Sequence, residues 1–309
     1  MLRQILLTAS RSDNLKKLSV SAPVARDVVG RFVAGEATGD AVRTVAGLAD
    51  TGLLATVDHL GEDTTDRHHA EAVRDAYLEL LAELVRAGLA ASAEASVKLS
   101  AIGQSLPGGG QQIATENAHA ICAAASAAGT CVTLDMEDHT TIDSTLETLR
   151  VLREDFPETG AVLQSYLFRT EGDCRDLATS GSRVRLVKGA YAEPASVAFQ
   201  SRAEVDLNYV RCLKVLLAGD GYPMVATHDP RLIEIAEALA VRAGRSAGEY
   251  EYQLLLGVRP DEQRRLNDHG ERVRVYVPYG AEWYGYLVRR MAEKPANLGL
   301  LLRSLTSTK

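Results

Sequence analysis

Residues 131–166 read CVTLDMEDHTTIDSTLETLRVLREDFPETGAVLQSY. The two ends of this stretch, 131–136 and 161–166, read as short β-rich runs with the period-two spacing of strands, and 141–155 between them reads as a helix. The strand–helix alternation extends in both directions. Further strand candidates lie at 54–58, 95–100, 184–188, 224–228, 250–255 and 273–277, and further helical stretches at 66–89, 203–217 and 230–243. Eight strands alternating with helices is the count that closes a (β/α)8 TIM-type barrel. A doubly wound open sheet is the alternative. It usually has fewer strands and a glycine-rich turn after the first, and neither feature is present here. Ahead of the barrel, Pro23 fits a helix start, and Val28, Val29, Phe32 and Val33 form an apolar stripe. The expected organisation is an N-terminal helical segment, 1–45, followed by a barrel catalytic domain, 46–309.

Composition is compatible with this fold. A chain of 309 residues is ordinary for a barrel and buries a large core without disulfides or a structural metal. The net charge of −7 speaks against a nucleic-acid partner. Cys122, Cys131, Cys174 and Cys212 show no CxxC spacing, so metal ligation is not expected and a reducing compartment, the cytoplasm, is. Residues 1–18 carry an apolar run interrupted by Arg3, Arg11, Lys16 and Lys17, with no small-residue cleavage site after it. The longest stretch free of charged residues, 117–134, is broken at Gly129-Thr130 and reads as a buried helix followed by a strand. The run Gly108-Gly109-Gly110-Gln111-Gln112-Ile113 lacks the third glycine of a dinucleotide loop and reads as plain loop.

The strand ends carry the functional signal. Ser96, Lys98 and Ser100 share one parity of the second strand. Thr133 and Asp135 share one parity of the third, with Glu137 and Asp138 beyond. Gln164, Arg185, Lys188, Thr227, His228, Gln253, Arg274 and Tyr276 occupy the later strands. Val97, Leu99, Val132, Leu134, Val273 and Val275 hold the opposite parity and should pack on the outer helices. The polar parity should face the barrel mouth. So many polar groups are costly to bury without partners, and a polar ligand at the C-terminal face accounts for them as a set.

A second constellation lies at 281–293, AEWYGYLVRRMAE. Tyr286, Arg289 and Arg290 can share a helix face, with Glu293 within a turn of both arginines. Paired arginines commonly form a solvated face. Beside an aromatic and with Lys98 available, they also suit a carboxylate clamp. The seven histidines show no metal-binding spacing, and His59 and His228 fall at strand ends that can line a site.

Taken in order, several strings resemble the proline dehydrogenase family over roughly residues 45–300. They are VKLS at 97–100, LDMED at 134–138, VLQSY at 162–166, RLVKGAY at 185–191, ATH at 226–228, YQLLLG at 252–257, VYVPYG at 275–280 and YLVRR at 286–290. The resemblance implies the short, monofunctional form: FAD held noncovalently at the barrel mouth, oxidation of L-proline to 1-pyrroline-5-carboxylate, and a quinone as electron acceptor. It also implies 1-pyrroline-5-carboxylate dehydrogenase as a partner and at most peripheral contact with the inner face of a membrane. Lys98, Arg289 and Arg290 would bind the proline carboxylate, Tyr191, Tyr276 and Tyr286 would wall the ring, and Leu255 would join the catalytic site in contact with the flavin. Contacts to FAD carry over to Asp135, Gln164, Arg185, Val187, Lys188, Gly189 and Ala190. The remaining contacts fall on Ser201, Arg202, Thr227, His228, Gln253 and Glu293. Relatives that handle hydroxyproline use a smaller residue at position 276, so the tyrosine implies a preference for proline.

The chemistry agrees with this resemblance. Removing two hydrogens across a C–N bond needs a hydride acceptor, and no side chain is one. Arg185 near the flavin would stabilise charge on its reduced form. Two other readings stay open: a Schiff-base aldolase using Lys98 or Lys188, and a noncatalytic amino-acid-binding protein.

Overall fold

The computed structural model describes residues 29–287. Helix α1 (Thr38–Ala49) leads into β1 (Leu54–His59), and the chain then repeats one unit seven times. The repeats are α2 (Arg67–Arg86) and β2 (Ala93–Val97), α3 (Gly110–Ala127) and β3 (Val132–Leu134), and α4 (Ile142–Asp155) and β4 (Gly160–Gln164). Then come α5 (Thr170–Leu177) and β5 (Arg183–Val187), α6 (Arg202–Ala218) and β6 (Tyr222–Ala226), α7 (Pro230–Arg242) and β7 (Glu251–Leu255), and α8 (Pro260–Asp268) and β8 (Val273–Tyr279). Every strand pairs in parallel with its sequence neighbours, and β8 pairs with β1, so the sheet is a closed eight-stranded barrel. On one circuit the register slips by eight residues, the stagger that sets strand tilt in this fold.

Local chemistry fixes where the helices begin. Asp66 accepts the N–H of His69 at the start of α2, and Ser201 accepts that of Glu204 at the start of α6. Asp229 accepts that of Arg231, with Pro230 preset for the first turn of α7. The expected strand at 95–100 ends earlier, at Val97, because Ser100–Ile102 turns into a short 3-10 helix. Helix α1 spans the expected 45/46 boundary and packs against β1, β8 and α2. Residues before 29 lie outside the described ones, and with them the apolar run at 1–18.

The apolar parity does pack outward. Val97, Leu99, Val132, Leu134, Val273 and Val275 are all buried in one continuous core with the inner faces of the helices. The polar parity corrects the sequence reading. Rather than facing the mouth alone, it fills the barrel from bottom to top. In the lower half Glu94, Arg183, Arg274 and Glu251 form an ion network: Arg183 Nη2 lies 2.5 Å from Glu94, and Arg274 Nε lies 2.7 Å from Glu251. Arg274 thus belongs to the barrel floor. Burial works against ionisation of Glu94, but Arg274, Arg183 and Arg185 outweigh it and hold its carboxyl well below the usual carboxylate range. Long side chains from β2, β5, β7 and β8 fill this interior as branched apolar ones do in other barrels.

Candidate active site at the C-terminal mouth

Arg185 links the floor to the mouth. Its Nε donates to Gln253 at 2.5 Å, Nη1 to Ser96 at 2.9 Å and Asp135 at 2.8 Å, and Nη2 to Thr56 at 3.2 Å and Glu94 at 3.4 Å. All five guanidinium donors are matched inside the barrel. What it can offer a ligand is its charge and the placing of Asp135 and Gln253. Its guanidinium also lies over the Tyr276 ring, 5.5 Å from the centroid.

Above it, Asp135 at the end of β3 collects polar groups from three other strands, β2, β5 and β8. Its Oδ2 accepts the Tyr276 hydroxyl at 2.8 Å and lies 3.7 Å from Lys98 Nζ, while Ser96 donates to Oδ1 at 2.9 Å. Lys98 Nζ donates to Asp58 Oδ2 at 2.7 Å. Sequence reasoning missed Asp58, although a carboxylate closing a strand on the parity of Thr56 is the signal that singled out Asp135.

Gln164, at the end of β4, donates from Nε2 to the carbonyls of Met136 and Glu137 at 3.2 and 3.1 Å. Its Oε1 is buried with no hydrogen-bond partner among the described residues. An orphaned acceptor at a barrel mouth fits a bound donor. Glu137 accepts both the N–H and the hydroxyl of Ser100, so it caps that turn, and burial raises its pKa against those bonds.

On the opposite rim, Lys188 lies 3.0 Å from Asp229 and 2.5 Å from Asp206, and the largely exposed Arg202 pairs with Asp229 at 3.0 Å. Burial opposes the charge on Asp229, yet Lys188 and Arg202 hold its carboxyl down at about 2. Ser201 is spent on capping α6: it accepts the Glu204 N–H and donates to its carboxylate. His228 Nε2 accepts the Leu255 N–H at 2.9 Å, which ties β6 to the half-buried Leu255. Thr227 is buried and accepts the N–H of Asp229 at 3.2 Å.

The loop after β5 packs against the loops after β3 and β4. Gly189 has φ +112°, and a Cβ there would strike the Tyr166 ring at 2.4 Å, so only glycine fits. Val187 and Tyr191 are half-buried against the core, and Ala190 is exposed. Glu193, another residue missed in the sequence, accepts the His139 N–H at 2.9 Å and the Tyr166 hydroxyl at 3.2 Å, pinning this loop to the one after β3. A helical segment starts at 283. Tyr286 is buried there with Leu287, Trp283, Leu60, Phe32 and Val33, and Trp283 Nε1 donates to Glu36 at 2.9 Å. The chain ahead of α1 therefore braces the final helix. Arg289, Arg290 and Glu293 lie outside the described residues.

The fold and site define a class: a (β/α)8 enzyme whose C-terminal mouth gathers a lysine, an aspartate, an arginine and a tyrosine. The family model described as proline dehydrogenase matches residues 41–302. Proline dehydrogenase 1 of Bacillus subtilis (strain 168) is 36% identical over 305 residues, covering 99% of both chains. Proline dehydrogenase of Deinococcus radiodurans is 39% identical over 277 residues, 89% of both. The crystal structure of proline utilization A from Bdellovibrio bacteriovorus, inactivated by N-propargylglycine, superposes with a TM-score of 0.81 at 25% identity over 92% of this chain. This chain spans about a third of that one, the match covering 34% of it. The chain belongs to the proline dehydrogenase family, and it is an oxidoreductase acting on proline, the first step of proline catabolism. The family implies a flavin cofactor in general. Among the described residues no helix is long and apolar enough to cross a membrane.

Proposed function

We propose that this enzyme oxidises free L-proline to 1-pyrroline-5-carboxylate using noncovalent FAD, with electrons leaving to a quinone. The observation that carries this reading is the Lys98 ammonium at the mouth, held beside Asp135, which also accepts the Tyr276 hydroxyl. Bound FAD supplies the hydride acceptor that no side chain provides. Gln164, Gln253, Asp135 and Arg185 would hold its ring system, together with Val187, Thr227, His228 and the backbone at Lys188, Gly189 and Ala190. Ser201, Arg202 and Glu293 would reach its outer parts. The largely exposed Arg202 guanidinium suits an anionic group there.

Lys98, Arg289 and Arg290 bind the proline carboxylate. Leu255, Tyr191, Tyr276 and Tyr286 enclose the ring and exclude water from it. Holding the substrate at one end by its charge and along its length by aromatics gives a near-attack geometry. Arg185 places positive charge beneath the site where negative charge develops. The family relation supports the substrate, and the engaged state of Lys98 supports the anchor over a nucleophile: burial works against its charge, but Asp58 and Asp135 raise its pKa above the ordinary lysine value, the reverse of what a Schiff-base lysine needs. 1-pyrroline-5-carboxylate dehydrogenase, the enzyme that would take up the product, is the proposed partner. The working place is the cytoplasm, with peripheral contact at the inner membrane face to meet the quinone. The direct test is product formation from L-proline with an artificial electron acceptor, and a chain that binds FAD yet forms no product overturns the proposal.

Tyr276 is the specificity test. Its hydroxyl is fixed on Asp135 at 2.8 Å and its ring is stacked under Arg185, so it forms a rigid wall where a 4-hydroxyl would need room and water. Tyr276→Ser should lower kcat/KM for proline and narrow the gap to trans-4-hydroxy-L-proline by roughly tenfold, about 1.4 kcal/mol. Kinetics on the two substrates, corrected for flavin content, decide this. A parallel loss on both, with the ratio unchanged, would mean that Tyr276 is only a core aromatic.

A further inference from the structure

Among the described residues, the carboxylate closest to the Lys98 ammonium is Asp58, at 2.7 Å, while Asp135 stands off at 3.7 Å. Asp135 is also shared with Arg185 and Tyr276. Asp58 has no solvent exposure, and its second oxygen lies 3.4 Å from the Tyr77 hydroxyl. That hydroxyl is wedged where β1 and β2 part. Asp58 and Ser96 are the last residues paired between these strands, and Tyr77 donates to the Ser96 carbonyl at 2.6 Å while accepting the His59 N–H at 3.2 Å. Tyr77 comes from the buried face of α2, outside the barrel. A chain of contacts therefore runs from an outer helix through a buried carboxylate to the lysine at the mouth.

We propose that Asp58, backed by Tyr77, is a positioning residue that fixes the Lys98 ammonium where the proline carboxylate docks. This rests on the reading of Lys98 as a carboxylate anchor. An ammonium on a flexible four-carbon stem is a poor anchor until it is pinned. One N–H given to Asp58 pins it and leaves two donors for the substrate. Asp58 is suited to this task because it is buried and, among the described residues, forms an ion pair with Lys98 alone, whereas Asp135 already serves Arg185. Burial alone would push Lys98 towards its neutral form; Asp58 is the largest opposing influence.

The test uses the FAD-loaded enzyme: wild type, Asp58→Asn, Lys98→Met and the double variant, with kcat and KM measured for L-proline. Two competitive inhibitors separate the ends of the substrate. Cyclopentanecarboxylate keeps the carboxylate but lacks the amine, and pyrrolidine keeps the ring and amine but lacks the carboxylate. Asp58→Asn should raise KM and weaken cyclopentanecarboxylate by about tenfold, one pKa unit's worth of interaction. It should leave pyrrolidine within about twofold and add less than about twofold in the Lys98→Met background, since the pair acts as one unit. An unchanged KM in Asp58→Asn overturns the proposal. So does equal weakening of both inhibitors, or losses that multiply in the double variant. A Lys98→Met enzyme with unchanged KM instead strikes the anchoring reading itself. Should Asp58→Asn fail to fold, Tyr77→Phe carries the test: removing the hydroxyl that holds the Ser96 carbonyl and the His59 N–H on either side of Asp58 should give a selective loss of about threefold on the carboxylate inhibitor, and no selectivity overturns the inference.

Discussion

Truncating either Arg289 or Arg290 to alanine should lower kcat/KM for proline by roughly 30-fold to several thousand-fold, about 2–5 kcal/mol of lost transition-state binding. The expectation follows from the anchoring scheme. A carboxylate taken into a desolvated mouth needs its charge matched there, and guanidinium groups match it in a bidentate fork. In the sequence these two residues follow a described helical segment, 283–287, where Trp283 and Tyr286 are braced by Phe32, Val33 and Leu60. Flavin content should stay intact in both variants, because the loss falls on the substrate. A variant with near-normal kcat/KM and full flavin content would show that the clamp is misassigned.

The largest stability effect should come from the barrel floor. Glu94 is buried and meets Arg183 at 2.5 Å, Arg185 at 3.4 Å and Arg274 at 3.9 Å. Glu94→Ala leaves these cations underpaired in the interior, and the unfolding free energy should fall by about 3–5 kcal/mol. Denaturant titration followed by circular dichroism checks this, and a midpoint indistinguishable from wild type would contradict it. The same carboxylate predicts acid sensitivity. Its folded pKa is depressed, so its contribution is present above the unfolded value of about 4.3 and is lost as the pH falls below it.

The barrel was legible because each strand carries its own local record. Val97, Leu99, Val132 and Leu134 alternate with Ser96, Lys98, Thr133 and Asp135, and that alternation alone separates wall from interior. The strand-end polar residues were legible for the same reason. The height of each group inside the barrel was not. Glu94, Arg183, Glu251 and Arg274 meet only because the register slips by eight residues on one circuit, a property of the closed sheet that no single strand announces. Arg185 shows the consequence: its guanidinium is engaged by five partners from four other strands, β1, β2, β3 and β7. Asp58 and Glu193 escaped notice because their importance lies in what they hold. Asp58 holds Lys98, and Glu193 holds the loop of Tyr191, and neither relation is local in sequence.

The central claim is that this mouth oxidises proline through a bound flavin, and one spectrum tests it most directly. Purified protein loaded with FAD is placed under anaerobic conditions, and its visible absorbance is recorded before and after addition of L-proline. The account predicts bleaching of the flavin band near about 450 nm, since the cofactor must accept the hydride. Protein that retains FAD and shows no reduction by saturating proline would contradict it.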